Sequence, residues 1–500
     1  MNPMRWWLRV LFGAAFTALG IGQASAAAPA TRPAATQPAA QAKVFNITRF
    51  GAVAGGQTLN RSQIQAAIDA CGAAGGGRVV VPAGIFLSVP LELRSGVDLH
   101  LDGGAVLLFS RDHKDYPLVI SSYEGRETVI CQAPIFGRDL HDVSITGTGA
   151  IDGQGDGWRS VKRNKLTPQQ WDALVKSGGV TDQKQEQWWP SESARQGFKA
   201  LIELRKKPEA PRVEDYEPYR DLLRPNLVLL SNCHRILLQD ATFRNSGSWN
   251  VHVLDSEDIT VRNVVLFNPL YAQNGDGIDV DSCRNVLIEG INVHAGDDDI
   301  CLKSGRDEQG RKHGRPTENV IIRNCKIGWG HGGIAIGSEM SGGVHNVEVS
   351  NCVLDGPDIG LRFKTTRGRG GTVEDIHIHD VTMSGITQTA ILFDMYYQTK
   401  NPKDEPFSER TPVFRNIVIR NVTCASAHRA LELMGLAEQP MSDIRLENVS
   451  LAADDGAWIN YVKDVTLKNV RIQSKHAPPL QTQNVADLTL DQVDATMQQD

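Results

Sequence analysis

The chain has 500 residues, of which 41% are hydrophobic and 22% charged, so it is an ordinary globular composition with room for several domains or one long repetitive one. Its formal net charge is −6. Bulk charge therefore argues against a nucleic-acid-binding protein, and a polyanionic substrate would need a local basic pocket. The eight cysteines show no CxxC zinc spacing, and we expect most of them to be free and buried.

Residues 1–26 have the pattern of a cleaved export signal. A basic region with Arg5 and Arg9 precedes an apolar run at residues 10–21, and an A-x-A cleavage site follows at 24–26. The alternative is a membrane anchor, for which the apolar run is short. Loss of two positive charges would change the net charge from −6 to −8. We expect an exported protein, periplasmic or secreted, that leaves the membrane after cleavage.

A short strand-like pattern recurs along the rest of the chain. It consists of Asn or Asp, then apolar–x–apolar, then another apolar residue a few positions later, and several copies are separated by 21 to 29 residues. Strand alternation at a solenoid period predicts an all-β, right-handed parallel β-helix, in which each coil buries its apolar face on the next. The eleven copies begin at residues 142, 235, 258, 285, 319, 346, 375, 416, 443, 464 and 487.

The domain organisation follows from where this repeat is present. Residues 27–42 are a tether rich in Pro, Ala and Thr, and residues 43–500 form a single β-helix domain. The stretch 60–77 has Asn60 as a candidate N-cap, helical apolar spacing and a glycine stop, which predicts a short helix capping the first coil. Residues 155–225 break the period and are expected to be a large helical or mobile insertion.

A second alternating strand occurs once per coil in the middle of the chain. Because neighbouring coils lie about 4.8 Å apart, aligning the inward residues predicts that Asp276 lies over Asp298 and that Asp297 lies over His331. Sequence-distant acids therefore converge on one patch. The copies are GIDVDS (277–282), DICLKS (299–304), GIAIGS (333–338), GLRFKT (360–365) and AILFDM (390–395).

The converging residue types match the needs of glycosidic bond hydrolysis. One carboxyl group must donate a proton to the leaving oxygen, and an ionised one must activate water or attack. Like charges about 5 Å apart resist joint ionisation, so one pKa rises. We assign Asp297 as the acid with His331 tuning its proton, and Asp276 and Asp298 as the pair that holds and deprotonates the water.

Two cations are predicted one coil beyond His331, on the same outer face. Arg362 and Lys364 would grip a substrate carboxylate and supply the local basic pocket. Taken alone, Asp297 and Asp298 could instead form a calcium site, and an RxK pattern is most often a solvated strand face. The common register favours catalysis, and we expect neither a metal nor another cofactor.

Four segments resemble the signature motifs of glycoside hydrolase family 28, the polygalacturonases. The resemblance spans roughly residues 44–480, and it implies inverting hydrolysis of the galacturonan in pectin without a metal. It implies the three aspartates as catalytic residues, together with His331, Arg362 and Lys364. The segments are NGDGIDVDS (274–282), GDDDICLKSG (296–305), GHGGIAIGSEMSGGV (330–344) and GLRFKTTRGRGG (360–371).

The resemblance also implies Asn274 as a supporting residue and a tyrosine on the next coil, which is Tyr396 or Tyr397. The sequence departs from the family in two places. Asp299 stands where a cysteine is common and adds a charge, and Gly275 replaces a frequent threonine. Carboxyl groups about 5 Å apart point to retention by the general rule, but the resemblance implies inversion, which we favour because two stacked carboxylates can share one water.

The retained RxK pair favours galacturonate over neutral sugars. The insertion at 155–225 and the segment 306–316 are expected to close one end of the cleft, which favours exo-action. Other interpretations are a hydrolase of rhamnogalacturonan or another pectic polymer, a pectate lyase using calcium and a basic residue, and a non-catalytic β-helix binding protein. We expect a monomer whose partner is a pectic polysaccharide or oligogalacturonide.

Overall fold

The computed structural model describes residues 43–206, 212–400 and 403–498. The expected signal at 1–26 and the tether at 27–42 lie outside these residues and stay predictions. Contacts group Lys43–Asp500 into one compact unit. Of the helices within the described ranges, none is both long and apolar enough to cross a membrane.

Helices are few and short. The described α-helices are α1 (Arg61–Ala73), α2 (Pro168–Lys176), α3 (Glu192–Arg205) and α4 (Asp307–His313). Turns of 3₁₀ helix occur at Ile47–Phe50, His113–Asp115, Gly155–Gly157, Arg163–Lys165 and Val213–Leu222.

Most of the described chain is strand, with segments that lengthen towards the C-terminus as the corners between faces flatten. The first part contains β1 (Val44–Asn46), β2 (Gly77–Val81), β3 (Gly84–Ser88), β4 (Leu91–Glu92), β5 (Val97–Leu101), β6 (Ala105–Phe109), β7 (Leu118–Tyr123), β8 (Arg126–Cys131), β9 (Ile135–Arg138), β10 (His141–Gly147), β11 (Ala150–Asp152), β12 (Val161–Lys162), β13 (Val180–Thr181) and β14 (Gln187–Trp189).

The middle and C-terminal parts carry the regular coils. The middle part contains β15 (Val228–Ser231), β16 (His234–Gln239), β17 (Thr242–Arg244), β18 (Val251–Leu254), β19 (Glu257–Arg262), β20 (Val265–Phe267), β21 (Ile278–Asp281), β22 (Arg284–Glu289), β23 (Asn292–His294), β24 (Asp298–Lys303), β25 (Thr317–Arg323), β26 (Lys326–Ile327) and β27 (Gly332–Gly337). The last part contains β28 (Val344–Asp355), β29 (Leu361–Lys364), β30 (Thr372–Ser384), β31 (Ile386–Asp394), β32 (Val413–Cys424), β33 (Ala427–Met434), β34 (Met441–Ala453), β35 (Asp455–Ser474) and β36 (Leu480–Met497).

The strands outside two small antiparallel sheets form one large parallel sheet that winds into a solenoid. Each strand pairs with its counterpart one coil later, so the chain runs through three parallel faces per turn, and the predicted right-handed parallel β-helix is confirmed. One face, which we call the cleft sheet, contains the second alternating strand of each coil. Its members are β15, β18, β21, β24, β27, β29, β31 and β33.

The predicted register is found in the core. Ile278 pairs with Ile300, Ile300 with Ile334, and Leu361 with Ile391, and these side chains are at most 3% exposed. The other predicted ladder is also continuous, because each first apolar residue pairs with the next one along the chain. Stacked Ile, Leu and Val side chains thus bury a single core along the solenoid, each contributing about 1.5–3 kcal/mol through burial.

The Asn and Asp residues that open each repeat have a backbone role. Asn285, Asn319 and Asn346 have φ between 50° and 57°, a left-handed conformation that Asn adopts more readily than other side chains. Their amides also form a ladder, since Asn319 donates to Asn285 at 3.1 Å and Asn346 donates to Asn319 at 2.8 Å. The repeated Asn therefore turns the chain and ties one coil to the next.

Helix α1 covers the first coil, as predicted. Its apolar side, which includes Ile64, Ile68 and Cys71, is buried against the core. Asn60 occupies the N-cap position, but its side chain does not cap the helix. It is buried and instead forms hydrogen bonds with the backbone of Val53. These bonds tie down the preceding loop.

The described residues of the insertion at 155–225 contain α2, α3 and the antiparallel sheet of β12, β14 and β13, so they form a partly helical excursion. It packs on a second feature that the repeat pattern gave no sign of, the antiparallel hairpin β7–β8. Tyr116, Cys131, Trp158 and Leu201 belong to one small buried cluster that joins the two. All eight cysteines of the chain fall within the described ranges, and they are free and buried as expected.

Candidate active site

The three predicted catalytic aspartates meet at one corner of the cleft sheet. Asp276 precedes β21, and Asp298 opens β24, whose residue Ile300 pairs with Ile278. Asp297 stands one residue earlier, and its carbonyl accepts a 2.7 Å hydrogen bond from the backbone N–H of His331. One carboxylate oxygen from each of Asp276, Asp297 and Asp298 lies within 4.8 Å of the others. The predicted register therefore brings the acids and His331 together.

Both carboxylate oxygens of Asp298 are held by cations of β29, two coils further along the solenoid. Arg362 donates to Oδ1 at 2.8 Å, and Lys364 donates to Oδ2 at 2.5 Å. All three side chains are buried. Burial alone would raise the pKa of Asp298, but the charges of Lys364 and Arg362 outweigh it and hold that pKa far below its usual range. Asp298 is thus an anion, and the predicted carboxylate clamp is engaged by an enzyme carboxylate.

Asp276 has the opposite electrostatic character. Burial, followed by the charges of Asp279 and Asp297, raises the pKa of Asp276 well above its usual range. Burial beside two other acids thus disfavours the charged form of Asp276, which was expected to hold and deprotonate the water together with Asp298.

A buried charge network continues behind Asp276. Lys303 Nζ lies 3.4 Å from Asp279 Oδ1 and 3.2 Å from Glu339 Oε2. Burial raises the pKa of Asp279 to about 8, although the charge of Lys303 opposes the shift. Burial also disfavours the Glu339 anion, but Lys303 and Lys364 outweigh it and lower the pKa of Glu339 to about 2. Lys303 therefore lies between an acid that resists ionisation and one that is firmly charged.

His331 lies at the edge of the corner and is oriented by an acid that the sequence analysis did not single out. Its Nδ1 is 2.9 Å from Asp358 Oδ2. Asp358 in turn accepts a 2.6 Å hydrogen bond from the hydroxyl of Thr387, and Lys165 of the insertion lies 3.9 Å away. The side chain of His331 is 35% exposed, so the ring still faces the cleft.

Of the two candidate tyrosines, Tyr397 and not Tyr396 lies beside the cation pair. The guanidinium of Arg362 lies 5.5 Å, and Nζ of Lys364 lies 5.2 Å, from the ring centroid of Tyr397. Tyr396 contacts Arg367 instead. Tyr397 thus borders the cation pair, at a distance suited to cation–π attraction.

Asn274 lies two residues before Asp276 and has a left-handed backbone conformation, with φ of 52°. Its side-chain oxygen accepts a 2.8 Å hydrogen bond from Arg224, at the end of the insertion. The structure therefore assigns the oxygen of Asn274 to anchoring the insertion against the catalytic loop. Within the described residues its side-chain NH₂ group remains available, and the predicted supporting role of Asn274 stays a prediction.

The two departures from the family pattern have local explanations. A Cβ at Gly275 would lie 2.7 Å from Cβ of Ala272, so the tight catalytic loop favours glycine over threonine here. Asp299 is fully buried and accepts a hydrogen bond from the backbone N–H of Ala295. Burial, with the nearby charge of Asp298, raises the pKa of Asp299 well above its usual range. Burial thus disfavours the charged form of Asp299, whose carboxylate oxygen also bonds to the loop before the catalytic acids.

The cleft sheet is covered along β18, β21 and β24, the last two of which follow or contain the catalytic aspartates. The outward residues His252, Asp279, Asp281, Cys301 and Lys303 are all at most 3% exposed, although in a β-helix such positions face solvent unless something covers them. The cover comes from two segments that meet over the sheet. They are the tip of the β7–β8 hairpin and the segment 305–313, which contains α4.

The hairpin is fastened to the sheet and to α4. The ring of Tyr123 stacks on Trp249 at 5.2 Å, and Lys303 Nζ lies 4.9 Å from the same indole ring. Arg306 pairs with Glu124 at 3.1 Å, and its backbone N–H donates to the carbonyl of Gly125. We call this hairpin tip and the segment 305–313 the wall. The segment 306–316, which was predicted to close one end of the cleft, overlaps one part of the wall. The other part is the hairpin tip and not the insertion at 155–225, which was predicted with it.

The cleft sheet is more open on the C-terminal side. Leu392, Asp394 and Glu432 occupy the corresponding outward positions there and are half-buried. Burial raises the pKa of Asp394 and of Glu432, which weakens the charge of two acids on the floor of this half. A substrate chain therefore has room on this side of the aspartates.

Sequence reasoning missed Asp279, Lys303 and Asp358, and each carried a signal. Asp279 and Lys303 stand at outward positions of the same alternating strands that located the catalytic acids. Asp358 precedes Arg362 of the RxK pair by four residues and falls one coil after His331. The hairpin β7–β8 gave no comparable signal, because its alternation resembles that of any other strand pair.

Comparison with known proteins agrees with this geometry. Residues 219–476 match the model of the Glycosyl hydrolases family 28. A probable polygalacturonase of Vitis vinifera is 31% identical over 416 residues, which cover 81% of this chain and 74% of the relative. An exo-poly-alpha-D-galacturonosidase of Dickeya chrysanthemi is 28% identical over 91% of this chain and 75% of its own.

Among solved structures, a hyperthermoactive exopolygalacturonase from Thermotoga maritima is similar, with a TM-score of 0.69 and 28% identity over 89% of this chain and 92% of that one. The family match covers more than half of the chain and includes all the converging residues. The chain therefore belongs to glycoside hydrolase family 28, and it is a glycoside hydrolase.

Proposed function

We propose that this enzyme hydrolyses the α-1,4-linked galacturonosyl bonds of polygalacturonate, and that it acts from a chain end. The observation that carries exo-action is the wall. It buries the outward side chains of the cleft sheet directly beside the aspartates, so a polymer cannot run through the cleft in both directions. Relatives named as exo-acting enzymes support the same conclusion.

The cation pair supports a uronate as the substrate. Arg362 and Lys364 present a planar guanidinium and an ammonium together, next to the ring of Tyr397. A sugar carboxylate would form charge-assisted hydrogen bonds with both, which a neutral sugar would not. In the structure the same two cations hold Asp298, so a bound uronate competes with that aspartate for them.

This competition gives Asp298 a role as the base. While both cations hold its oxygens, the Asp298 anion is a weak base, because its pKa is far below the usual range. Transfer of Arg362 and Lys364 to the substrate carboxylate raises the basicity of Asp298 at the moment when a base is needed. Uronate recognition and activation of the water are then coupled through one pair of cations.

The reaction proceeds with two proton transfers. Asp298, with the protonated Asp276 fixing the water by a hydrogen bond, takes a proton from the water as its oxygen forms a bond to the anomeric carbon. The bond from that carbon to the glycosidic oxygen breaks, and Asp297 gives its proton to the departing oxygen. We propose that the configuration inverts, although the acids are closer together than in most inverting enzymes.

We further propose that the enzyme is exported, to the periplasm or the cell exterior, and that it acts on plant cell-wall pectin as a monomer without a metal. The export pattern at residues 1–26 supports the first part. Sequencing the N-terminus of the exported protein tests it, since cleavage after residue 26 gives a new N-terminus at residue 27. Light scattering of the purified enzyme tests the monomer.

The function is tested by product analysis on polygalacturonate in the presence of EDTA, with Asp297→Asn as the control. Galacturonate monomer or dimer should appear from the start, without ultraviolet absorbance, and only with the wild-type enzyme. Mixed oligomers with a rapid loss of viscosity would contradict exo-action. Ultraviolet-absorbing products lost with EDTA would mean a lyase. Proton NMR of the first product distinguishes inversion from retention.

A further inference from the structure

We propose that Asp358 is the positioning residue for His331, and that it affects hydrolysis only through that imidazole ring. This inference rests on the proposed function, in which His331 tunes the proton of Asp297. Its geometric basis is the 2.9 Å contact between Asp358 Oδ2 and His331 Nδ1. Asp358 lies one coil beyond His331, so the contact runs along the stacking direction of the solenoid.

The carboxylate of Asp358 is fixed from both neighbouring coils. Its backbone N–H donates to the carbonyl of Gly330 at 2.8 Å, and its carbonyl accepts from the N–H of Gln388 at 2.8 Å. The hydroxyl of Thr387 donates to Oδ1 at 2.6 Å, which leaves Oδ2 directed at the ring. A side chain held at its backbone and at one oxygen can hold its partner in one orientation.

This contact determines which nitrogen of His331 faces the reaction. A carboxylate at Nδ1 accepts a hydrogen bond, so Nδ1 carries a proton and Nε2 is the nitrogen that gains or loses one. Nδ1 is thereby committed to Asp358, and Nε2 is turned to the cleft. Exchange of a proton with the catalytic acid then takes place at a nitrogen whose state is defined.

The charged groups around the ring support the same assignment. Burial alone would raise the pKa of Asp358, but the hydrogen bonds from His331 and Thr387, with the charge of Lys165, outweigh it and lower that pKa. Asp358 therefore stays an anion in the range where histidine titrates. Asp297 lies at the neighbouring register position on the other side of His331, and Lys165 lies 3.9 Å from Oδ2.

Asp358 could alternatively be only a turn residue that ties coils together, and Asp355 provides a matched control for that role. It lies on the same coil and accepts a 2.7 Å hydrogen bond from the hydroxyl of Ser384, as Asp358 does from Thr387. It has no contact with His331 among the interactions of the described residues. A purely structural contribution should thus be similar at the two positions.

The test is a double-mutant cycle on oligogalacturonate. Asp358→Asn should lower kcat about 10- to 100-fold with KM changed less than about twofold, whereas Asp355→Asn should leave both unchanged. In a His331→Asn background, Asp358→Asn should have no further effect. Losses that multiply in that background, or equal effects of the two Asn variants, would overturn the proposal.

A second measurement does not depend on activity. Nitrogen-15 NMR of histidine-labelled protein, followed over pH and with the His331 signals identified by their loss in His331→Asn, should show that the neutral form of the ring carries its proton at Nδ1. In Asp358→Asn the ring should shift towards a mixture of tautomers. A wild-type ring protonated at Nε2 would refute the inference, even if the enzyme proved to act on a different pectic polymer.

Discussion

The two halves of the cleft sheet are built from the same strand repeat but differ in what covers them. On β18, β21 and β24, outward residues such as His252 and Asp279 are fully buried beneath the wall. On the C-terminal side, Asp394 and Glu432 occupy equivalent positions and are only half-buried. The repeat decides which way a side chain points, whereas the segments inserted between coils decide whether a substrate can reach it.

The charges of the two halves differ in the same way. On the covered side, Lys303 pairs with Asp279 and Glu339 of the enzyme itself. At the border of the open half, the buried Arg362 and Lys364 share the one carboxylate of Asp298 and lie beside the ring of Tyr397. The first group fixes the structure behind the aspartates, while the second can exchange its partner for a substrate carboxylate.

The largest expected effect is the loss of kcat on substituting the acid Asp297 or the base Asp298, which lie at the boundary of the two halves. Stability then distinguishes the two variants. Asp297→Asn and Asp298→Asn should each lower kcat about 10²- to 10⁴-fold, because each removes a proton-transfer group. Only Asp298→Asn should also destabilise the protein, by roughly 3–5 kcal/mol, because it leaves two buried cations without their anion. Rate measurements and denaturant unfolding check both. Equal stability of the two variants would contradict the assigned ion pairs.

Opening the wall should convert the covered half into one that resembles the open half. The double substitution Arg126→Ala and Arg306→Ala removes two ion pairs between the hairpin tip and the segment 305–313, Arg126 with Asp307 and Arg306 with Glu124. Products should then include longer oligomers early in the reaction, and viscosity should fall about 10-fold faster for the same number of bonds cleaved.

The control for that experiment is Arg323→Ala, which breaks a similar arginine–glutamate pair on the outer surface, with Glu289. Its product pattern should equal that of the wild type. If the double variant still releases only monomer or dimer, the wall is not what confers exo-action.

Substitution of Asp276 should change the free energy of unfolding by a smaller amount, and the sign of the change follows from its raised pKa. Its folded pKa is raised, so its neutral form favours the folded state, and this contribution is lost as pH rises through the folded pKa. Asp276→Asn should abolish activity and yet stabilise the protein by about 1–2 kcal/mol at pH 8, with the gain shrinking towards pH 4. Thermal melts across this range, with Asp172→Asn as an exposed control, measure it. A variant that is less stable than the wild type at pH 8 would refute the raised pKa.

Much of this arrangement was predictable because a parallel β-helix converts spacing in sequence into contact in space. Alignment of Ile278, Ile300 and Ile334 was enough to place the acids together, since neighbouring coils keep their register. Charge states were not predictable in this way. The pKa of Asp276 is raised because of its burial, which depends on the hairpin and the loops that cover the corner.

Contacts made by insertions were also beyond the pattern. The hairpin β7–β8 pairs antiparallel and reaches the cleft from a coil more than 100 residues away along the chain, and Arg306 meets Glu124 there. Nothing periodic relates these two segments. Asp358, in contrast, obeys the register and was overlooked only because an isolated aspartate before a strand is usually a turn residue.

The smallest expected effect concerns the open half alone. Tyr397→Leu should raise KM for oligogalacturonate about 2- to 10-fold and Tyr397→Phe much less, because the ring rather than the hydroxyl contacts the cations. Tyr396→Leu is the matched control, since its ring contacts Arg367, which is already paired with Glu438. Steady-state kinetics of the three variants would show whether Tyr397 orients the cation pair. Equal KM values for the two leucine variants would mean that the ring does not assist uronate binding, and that Arg362 and Lys364 are positioned by Asp298 alone.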